Sequence, residues 1–409
     1  MKCRHCAAEL ALQLIDLGSS PPSNAYLTQE GLQAPEKTYP LRVLVCEKCW
    51  LVQTQDFAQA DELFCDEYAY FSSFSTSWLS HAEAFVAEMV ERFNLGPKSH
   101  VVEIASNDGY LLQYVRSSGI PCLGVEPTAS TAKVARFKGI ETIESFFGAR
   151  VGSELVAQGR SADLLIANNV LAHVPDINDF VRGFARLLKP EGVSTFEFPH
   201  LLRLLEHTQF DTIYHEHFSY LSLTAVKSIF EANGLKVFDV QEWPTHGGSL
   251  RVFAQRSDTG RRACTTAVDS LLEREAVAGL MRADTYRGFQ HRAEKVKDDF
   301  IAFLIDCKRR GKRVAAYGAA AKGNTLMNFG GCRGDLVQYV VDRNPAKVGR
   351  FMPGSRIPIV VEATLWQDQP DYVVILPWNL RTEVSVQLDA ARDWGCQFVT
   401  AVPSLEVNG

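Results

Sequence analysis

Hydrophobic positions follow two different patterns along this sequence, and the change from one pattern to the other divides the chain into regions. From about residue 75 to 95, apolar side chains follow the 3.6-residue period of a helix. Beyond residue 100, short apolar runs alternate with amphipathic stretches, which is typical of parallel strands covered by helices on both faces. The predicted strands cover 100–105, 122–126, 163–167 and 193–198, and the predicted helices cover 108–117, 129–138 and 178–188.

The end of this alternation has a different pattern. A predicted helix at 224–233 is followed by two predicted strands, 237–241 and 249–255. Strands that follow one another directly fit antiparallel pairing. We therefore expect the first sheet to end in antiparallel strands.

A second alternation follows a charge-rich stretch at 264–312, which is predicted to form two connecting helices. The later strands are predicted at 314–317, 337–341, 371–376 and 397–402, with helices after Lys322 and over 381–393. This order indicates a second, smaller doubly wound unit. The predicted fold class is α/β, with a small N-terminal module (1–72), a central Rossmann-like domain (73–260), and a helical connector plus a second Rossmann-like domain (261–409).

Composition and charge narrow the class of protein. The 409 residues are 46% hydrophobic and 22% charged, as in an ordinary soluble enzyme, and the formal net charge is −6. A negative chain is a poor candidate for a nucleic-acid-binding protein. No apolar run reaches the roughly 18–20 residues that cross a bilayer, and the first ten residues, MKCRHCAAEL, lack the apolar core of a signal peptide. We therefore expect a cytoplasmic protein.

Four of the ten cysteines form two pairs near the N-terminus. The pairs are Cys3-x-x-Cys6 and Cys46-x-x-Cys49, with 39 residues between them. Zn²⁺ prefers four tetrahedral thiolates, and two such pairs supply them with little strain. Four protein ligands leave no open position, so one structural zinc ion is expected to stabilise a module with few large apolar residues. The alternative is two unrelated pairs of buried thiols.

The first predicted strand of the central domain leads into a turn suited to a ligand. Residues 101–112 read VVEIASNDGYLL, which predicts a strand, a tight turn and a helix start. In a Rossmann-like fold this turn faces a ligand with its N–H groups and the helix N-terminus. Because Gly109 is the one glycine in it, a dinucleotide is less attractive. Glu126 ends the next strand, where a carboxylate can accept hydrogen bonds from both hydroxyls of a ribose.

Several segments together resemble the sugar C-methyltransferase family: VVEIASNDGYLL, GVEPT, NNVLAHVPDINDF and FEFPHLLRLLEHTQFDTIYHEHFSYLS. The resemblance covers nearly the full chain and implies a Cys₄ zinc module, a central S-adenosylmethionine domain and a C-terminal Rossmann-like domain. It places the turn against the methionine part of the cofactor, Glu126 at the ribose and Phe146 in the adenine pocket. The cofactor-binding residues expected in this way are Glu103, Ser106, Asn107, Asp108, Gly109, Glu126, Phe146 and Asn168.

Two histidines flank a glutamate in the segment YHEHFSY at 214–220. They lack the i, i+4 spacing of a helical H-E-x-x-H zinc site. Methylation of a carbon needs a carbon nucleophile, and a C–H bond beside a ketone can provide one if a base removes its proton and another group stabilises the enolate oxygen. Histidine suits the base because its unperturbed pKa is about 6.5. The alternative is a polar loop whose side chains only support the local structure.

The match of the Y-H-E-H motif to the family implies specific roles. His217 is the expected general base, and Tyr214 and Glu216 position the sugar or tune the base. His173 is expected close to the keto oxygen, where it donates to the enolate. For His173 the alternative is a histidine that caps a turn.

Substrate contacts are predicted in segments on either side of these residues. Tyr68, Tyr70 and Ser72 follow the zinc module, and the resemblance implies that they close over the nucleotide sugar. His246 precedes two glycines, which either permit close approach of a ligand or form a hairpin turn. For the first group the alternative is a packing segment between domains.

A further pair of substrate contacts is predicted in the second Rossmann-like unit. Lys322 lies where a strand leads into a helix, which is an anion-binding position, and Arg343 follows the next strand. Both are expected to hold the diphosphate and nucleoside of the sugar. The alternative is a duplicated fold that only packs.

The resemblance implies S-adenosylmethionine-dependent methylation of a carbon in a nucleotide-linked 4-keto-deoxysugar, through a base-generated enolate. The family pattern suggests C-3 of a sugar linked to thymidine diphosphate (dTDP). An O- or N-methyltransferase acting on another small molecule and a non-catalytic nucleotide-binding module are the alternatives. The expected partner is the nucleotide sugar rather than nucleic acid or a membrane, and the chain is expected to be a monomer or weak oligomer.

Overall fold

The structure is a computed structural model that describes residues 1–57 and 71–408. Within these ranges the strands form three sheets, of four, seven and six strands. No helix of the described residues has the length and apolar character needed to cross a membrane.

The first sheet contains strands of the N-terminal module and one strand from the middle of the chain. Its strands are β1 (Leu12–Ser20), β2 (Tyr39–Val45), β3 (Val52–Thr54) and β9 (Ser219–Tyr220). They pair antiparallel in the order β1-β2-β3-β9. β9 directly follows the predicted catalytic segment, so the N-terminal sheet holds that segment at one end.

The central sheet has the predicted parallel strands and an antiparallel ending. Its strands are β4 (Val101–Ile104), β5 (Cys122–Val125), β6 (Thr142–Ile143), β7 (Ala162–Asn168), β8 (Leu188–Pro199), β10 (Leu235–Trp243) and β11 (Ser249–Arg256). The order is β10-β11-β8-β7-β4-β5-β6, with β11 antiparallel to both of its neighbours. The strand order reverses between β4 and β7, which gives the sheet a switch point at their carboxyl ends.

The helices of the central domain begin and end at residues with clear local signals. Ser75, Asp176 and Ser222 each accept a hydrogen bond from a backbone N–H of the first helical turn that follows, and Asn94 ends the first helix in a left-handed conformation. The helices are α1 (Thr76–Phe93), α2 (Leu112–Ser117), α3 (Ala129–Phe137), α4 (Ala149–Ala157), α5 (Ile177–Leu187), α6 (Leu201–Glu206) and α7 (Leu223–Ala232).

The connector contains three helices among its described residues, so the prediction of two was wrong. They are α8 (Thr266–Val277), α9 (Ala283–Arg287) and α10 (Phe289–Arg309). The five-residue α9 spans little more than one helical turn, which is too short for a periodic pattern to be recognised.

The C-terminal sheet is the predicted second doubly wound unit. Its strands are β12 (Val314–Tyr317), β13 (Val340–Val341), β14 (Ile359–Val360), β15 (Tyr372–Ile375), β16 (Gln397–Thr400) and β17 (Glu406–Asn408), in the order β14-β13-β12-β15-β16-β17. Its helices are α11 (Ala321–Phe329), α12 (Glu362–Asp368) and α13 (Arg381–Gln387). The predicted helix over 381–393 is divided, because Asp389–Trp394 forms a 3₁₀ turn instead. This sheet reverses its order between β12 and β15.

The hydrophobic cores join the domains rather than separating them. One core cluster contains residues of β1 and β2, the connector helix α10 and the C-terminal sheet. A second cluster packs the cysteine pairs against one face of the central sheet. The N-terminal module therefore packs on both Rossmann-like units, and its burial contributes to the stability of each.

Candidate active site

The four paired cysteines converge in the N-terminal module. Their sulfur atoms all lie within 4.8 Å of one another, and Cys3 Sγ is 3.6 Å from Cys49 Sγ. Four thiolates at this spacing match the tetrahedral donor set of Zn²⁺. Gln53 donates from Nε2 to Cys3 Sγ at 3.3 Å, and a hydrogen bond to a sulfur favours its thiolate form. The contact with Cys49 is the main cause that lowers the pKa of Cys3.

Each cysteine pair lies on the same kind of backbone turn. Ala7 and Trp50, one residue beyond each pair, have left-handed φ angles of 58° and 59°. Their N–H groups donate to the carbonyls of Cys3 and Cys46 at 2.9 and 2.8 Å. This repeated geometry presents all four sulfurs to one point, so the cysteine residues fit a structural zinc ion.

The predicted cofactor turn lies at the switch point of the central sheet. The turn follows β4, and Asn168 ends the adjacent β7. Ala105, Asn107 and Gly109 have φ angles of 55°, 49° and 76°, so the turn folds back tightly on itself. A Cβ on Gly109 would lie 2.4 Å from the Ile140 side chain, which is why this position requires glycine.

Several buried polar atoms at this crevice have no hydrogen-bond partner within the described part of the chain. They are Ser106 Oγ, Asp108 Oδ1, Asn168 Oδ1 and Asn169 Oδ1. Buried polar atoms in folded proteins are normally paired, so these atoms mark a place for a bound polar molecule. The amino-acid group and ribose of S-adenosylmethionine supply matching donors, so the crevice fits this cofactor.

Two glutamates lie beside the turn in different surroundings. Glu126 accepts the Asn107 and Thr128 N–H groups, one on each oxygen and both at 2.9 Å. Each oxygen keeps a second lone pair that a ribose hydroxyl can use. Glu103 is fully buried, and burial raises its pKa well above the usual value although the Tyr110 hydroxyl opposes the shift.

His217 is held in one tautomer by the backbone. Its Nδ1 lies 2.8 Å from the Thr212 carbonyl oxygen. Because a carbonyl only accepts, Nδ1 carries the proton and Nε2 carries the lone pair. Burial lowers the pKa of His217 well below its usual value, and the nearby His173 and Lys322 lower it further. The ring is therefore neutral near pH 7, which is the state required of a base.

Two aromatic side chains fix the His217 ring. The Tyr214 ring centroid lies 4.0 Å away, and the His173 ring meets it edge-on at 4.6 Å. The backbone N–H of His217 also donates to the backbone carbonyl of Tyr214 at 2.9 Å. Burial lowers the pKa of His173 to about 4, so this ring is neutral too. The fold thus brings three of the predicted catalytic residues together.

The residues just before His217 contact the N-terminal module. Glu216 is 2% exposed, and both of its carboxylate oxygens accept from Asn24 Nδ2 at 2.8 Å. Burial raises the pKa of Glu216 to about 7. His215 Nε2 lies 3.2 Å from the Tyr39 carbonyl oxygen. These contacts anchor the predicted catalytic segment to the N-terminal module.

His246 lies between the predicted base His217 and the end of β7. It lies on a left-handed turn with φ 55°, and its Nε2 is 3.1 Å from the side-chain nitrogen of Asn169. Asn169 immediately follows Asn168 at the end of β7. Burial lowers the pKa of His246 to about 4, and Lys322 adds to this effect.

Lys322 brings the C-terminal domain to the same pocket. Its Nζ donates to Asn379 Oδ1 at 2.8 Å and lies 4.6 Å from the Trp378 ring centroid. Burial lowers the pKa of Lys322 to about 8, while the Asp211 carboxylate opposes the shift. Lys322 lies at the start of a helix, as predicted, and it is also close enough to His217 and His246 to lower the pKa of each.

Comparison with known proteins identifies the family. The model of the C-methyltransferase C-terminal domain matches residues 244–403, a zinc binding domain model matches 3–64, and a methyltransferase domain model matches 78–240. The C-methyltransferase NovU from Streptomyces niveus is 35% identical over 406 residues, which is 99% of this chain and 96% of that protein. The chain belongs to the C-methyltransferase family. The predicted fold class and the predicted methyltransferase activity are thereby confirmed.

Other matches cover less of this C-methyltransferase. A ubiquinone biosynthesis O-methyltransferase from Chelativorans sp. (strain BNC1) is 29% identical over 94 residues, 23% of this chain and 37% of that protein. The magnesium protoporphyrin IX methyltransferase of Synechocystis PCC 6803, solved with bound S-adenosylmethionine, has a TM-score of 0.34 and 16% identity over 44% of this chain and 79% of its own. The PH0226 protein of Pyrococcus horikoshii OT3 has a TM-score of 0.37 and 15% identity over 49% of this chain and 100% of its own.

Among the other predicted site residues of the C-methyltransferase, one contacts the cofactor turn and two lie at the surface. The Ser72 N–H donates to Asn107 Oδ1 at 2.9 Å, so Ser72 lies against the cofactor turn. Phe146 is 54% exposed just beyond β6, and Arg343 pairs with Glu362 at 3.0 Å on the surface. Tyr68 and Tyr70 lie outside the described residues. The roles of these residues stay predictions.

Sequence reasoning missed three polar residues at this site, namely Asn24, Asp211 and Trp378. Asn24 and Trp378 belong to no recognisable motif, and Asp211 lies in a segment that carries the family resemblance but was assigned no role there. Each of the three contacts a partner far away in the sequence. A signal existed for Trp378, because it follows β15 at the switch point of the second sheet.

Proposed function

We propose that this C-methyltransferase uses S-adenosylmethionine to methylate a carbon beside the ketone of a nucleotide-linked 4-keto-deoxysugar. The observation that carries the proposal is the neutral His217 imidazole, whose Nδ1 is committed to Thr212 and whose Nε2 is a proton acceptor. When bound, S-adenosylmethionine supplies an electrophilic methyl group. The chain itself must then generate a nucleophilic carbon.

Each step of carbanion formation has a candidate residue. His217 Nε2 takes the proton from the carbon next to the ketone, and the Thr212 carbonyl stabilises the imidazolium through Nδ1–H. His173 lies in ring contact with the base. Its neutral ring hydrogen-bonds to the Glu216 backbone carbonyl, so in this proposal it positions the base, and its predicted donation to the enolate oxygen stays a prediction. The positive charge of Lys322 favours an anionic enolate in a buried pocket.

The substrate class rests on the family and on the pocket. The resemblance of the Tyr214–His217 motif to sugar C-methyltransferases supports a dTDP-linked 4-keto-deoxysugar methylated at C-3. Glu216 is bonded to the N-terminal module, and the adjoining His217 is close enough to Lys322 of the C-terminal domain for its pKa to be lowered, which supports a substrate long enough to contact all three regions, such as a nucleotide sugar.

The decisive test measures proton abstraction separately from methyl transfer. In D₂O without S-adenosylmethionine, the wild type should exchange the proton beside the ketone of a dTDP-4-keto-deoxysugar, as followed by NMR. His217→Asn should lose about 10²–10⁴-fold in exchange and in turnover, the usual contribution of a positioned base. Calorimetric binding of S-adenosylmethionine should be unchanged.

His215→Asn is the matched control, because His215 lies in the same segment but contacts the Tyr39 backbone. It should keep most of the exchange and turnover. Mass spectrometry should find one added CH₂ on the sugar fragment, and NMR should place it on carbon. A methyl group on oxygen or nitrogen, or a His217→Asn variant as active as His215→Asn, contradicts the proposal.

A further inference from the structure

Residues at the switch point of the second Rossmann-like sheet contact other parts of the chain. In open α/β sheets, ligands bind at this point, here between β12 and β15. A Cβ on Gly318, which follows β12, would lie 2.6 Å from the Pro377 ring. The next carbonyl, that of Ala319, accepts from Tyr26 Oη at 2.5 Å and from Lys347 Nζ at 2.9 Å. The carboxyl edge of this sheet is thus used for contacts within the chain.

One residue of this edge crosses to the central domain. The indole N–H of Trp378 donates to Asp211 Oδ2 at 2.7 Å, and a Cβ on Gly247 would lie 2.3 Å from the far edge of the Trp378 ring. Asp211 precedes Thr212, whose carbonyl holds the proposed base, and Gly247 directly follows His246. A single indole ring therefore contacts both segments that carry the pocket histidines.

The same ring separates two opposite charges. Lys322 Nζ lies 4.6 Å from the Trp378 ring centroid, where the face of an indole attracts a cation. Asp211, at the indole edge, is 1% exposed, and its Oδ1 has no hydrogen-bond partner among the described residues. A buried carboxylate with one oxygen unpaired depends strongly on its remaining donors.

From these contacts we infer that Trp378 is a positioning residue for methyl transfer, which holds the Asp211 carboxylate and the Lys322 ammonium beside the base. The role rests on the proposed function. In it, the second Rossmann-like domain takes part in catalysis by completing the electrostatic surroundings of the base in the first. Trp378 itself acts through these neighbours.

Trp378→Phe keeps an aromatic ring and removes the hydrogen bond. Burial raises the pKa of Asp211 to about 6, and the Trp378 hydrogen bond opposes this shift, so the carboxyl of the variant should keep its proton to a higher pH. Without the negative charge of Asp211, the pKa of Lys322 should fall, so a smaller fraction of Lys322 is protonated. Because the Lys322 charge lowers the pKa of His217, the pKa of His217 should then rise. The acidic limb of the kcat profile should move to higher pH. At pH 7 kcat should fall about tenfold or more, the scale of one hydrogen bond to a charged group.

Trp394→Phe is a matched control, because the Trp394 indole donates at 3.1 Å to the Pro370 carbonyl inside the C-terminal domain. It should leave kcat and the acidic limb in place. Asp211→Asn keeps an acceptor for Trp378 but removes the charge, so it should move the limb in the same direction as Trp378→Phe. The KM for S-adenosylmethionine should be unchanged in all three variants.

A second readout does not depend on turnover. Imidazole NMR signals of His217 and His246 should shift in Trp378→Phe and stay in place in Trp394→Phe. The inference is overturned if Trp378→Phe and Asp211→Asn lose kcat only in proportion to a lower melting temperature and the acidic limb of the kcat profile stays in place. The contact would then serve only the stability of the fold. A wild type inactive on keto-sugars would instead reject the proposed function, and the NMR comparison would then test only whether Trp378 sets the surroundings of His217 and His246.

Discussion

Asn24 of the N-terminal module donates its side-chain amide to both carboxylate oxygens of Glu216, and both distances are 2.8 Å. Glu216 adjoins the proposed base His217, so this contact joins the zinc-binding module to the proposed catalytic segment. Burial raises the pKa of Glu216 to about 7, and the Asn24 hydrogen bonds and the Lys347 charge oppose the shift. The segment is therefore anchored by a carboxyl group whose ionisation costs free energy in the folded protein.

This raised pKa predicts a pH-dependent effect of Glu216→Gln on stability. An unfolded glutamate has a pKa of about 4.3, so the folded state binds the proton more tightly. The resulting stabilisation is complete below that value and is lost as the pH rises through about 7. The free energy of unfolding of Glu216→Gln, relative to that of the wild type, should therefore rise by about 1–3 kcal/mol when the pH is raised from 5 to 8. Unfolding at both pH values measures this gain, and a pH-independent difference would contradict it.

Asn24→Ala tests the same contact from the other side. Loss of the two hydrogen bonds should raise the pKa of Glu216 further, because they favour its charged form. We expect Asn24→Ala to be more destabilised at pH 8 than at pH 5, the opposite trend to Glu216→Gln. Equal destabilisation at the two pH values would mean that Asn24 serves only in packing.

Zinc removal should lower both stability and turnover. The four sulfurs within 4.8 Å fit one metal ion, and the sheet of this module includes β9, which follows the catalytic segment. Cys6→Ser should lose bound zinc and melt at a lower temperature, because metal binding contributes to folding. Cys264→Ser, at an exposed cysteine, should retain both. Elemental analysis with thermal unfolding checks this, and a zinc-free wild type of full stability would rule out the metal.

Features coded by short segments could be predicted from the sequence. Each Cys-x-x-Cys spacing reflects a short local turn, so it can be recognised in the sequence, and the structure brings the two pairs together. The Ser106–Gly109 turn and the strands on either side of the central switch point follow from periodicity and one β-α step. The Y-H-E-H motif is local too, and the structure groups His217 with Tyr214 and His173.

Contacts between domains could not be predicted in this way. Asn24 and Glu216 are 192 residues apart, and Asp211 and Trp378 are 167 apart, so each pairing depends on how domains dock. Neither pairing changes the local hydrophobic pattern. The two-residue β9 is likewise too short to show a strand period, although it completes the N-terminal sheet.

The ring contact between His173 and His217 predicts a shift in the pH profile. After burial, His173 is the next cause that lowers the pKa of His217. His173→Asn should therefore raise the pKa of the base, and activity should begin to fall at a higher pH on the acidic side. The profile of kcat/KM measures the free enzyme. His215→Asn, outside the ring contact, should leave the limb unmoved; an equal shift in both variants would exclude a specific effect of His173.

Glu197 and Arg251 form an ion pair in which both side chains are 0% exposed, at 2.7 Å. Arg251 also bonds to the half-buried Glu88 at 3.2 Å, and His81 Nε2 lies 2.8 Å from Glu197. Burial alone would raise the pKa of Glu197, but His81 and Arg251 outweigh it and hold the pKa below its usual value. The pair lies near the His246 turn, because the Thr245 hydroxyl is 3.3 Å from Glu197.

Removing one partner of this pair leaves a buried charge without compensation, which costs about 3–5 kcal/mol. Glu197→Gln should be destabilised on that scale at pH 7. Because the folded pKa of Glu197 is depressed, its contribution is present above the unfolded value of about 4.3 and is lost as the pH falls through the folded value. The difference from the wild type should therefore shrink below pH 4. Glu88→Gln, which removes the more exposed partner of the same guanidinium, should cost about 1 kcal/mol or less. Denaturant unfolding at both pH values compares the variants, and equal costs for Glu88→Gln and Glu197→Gln would show that the buried charge does not dominate.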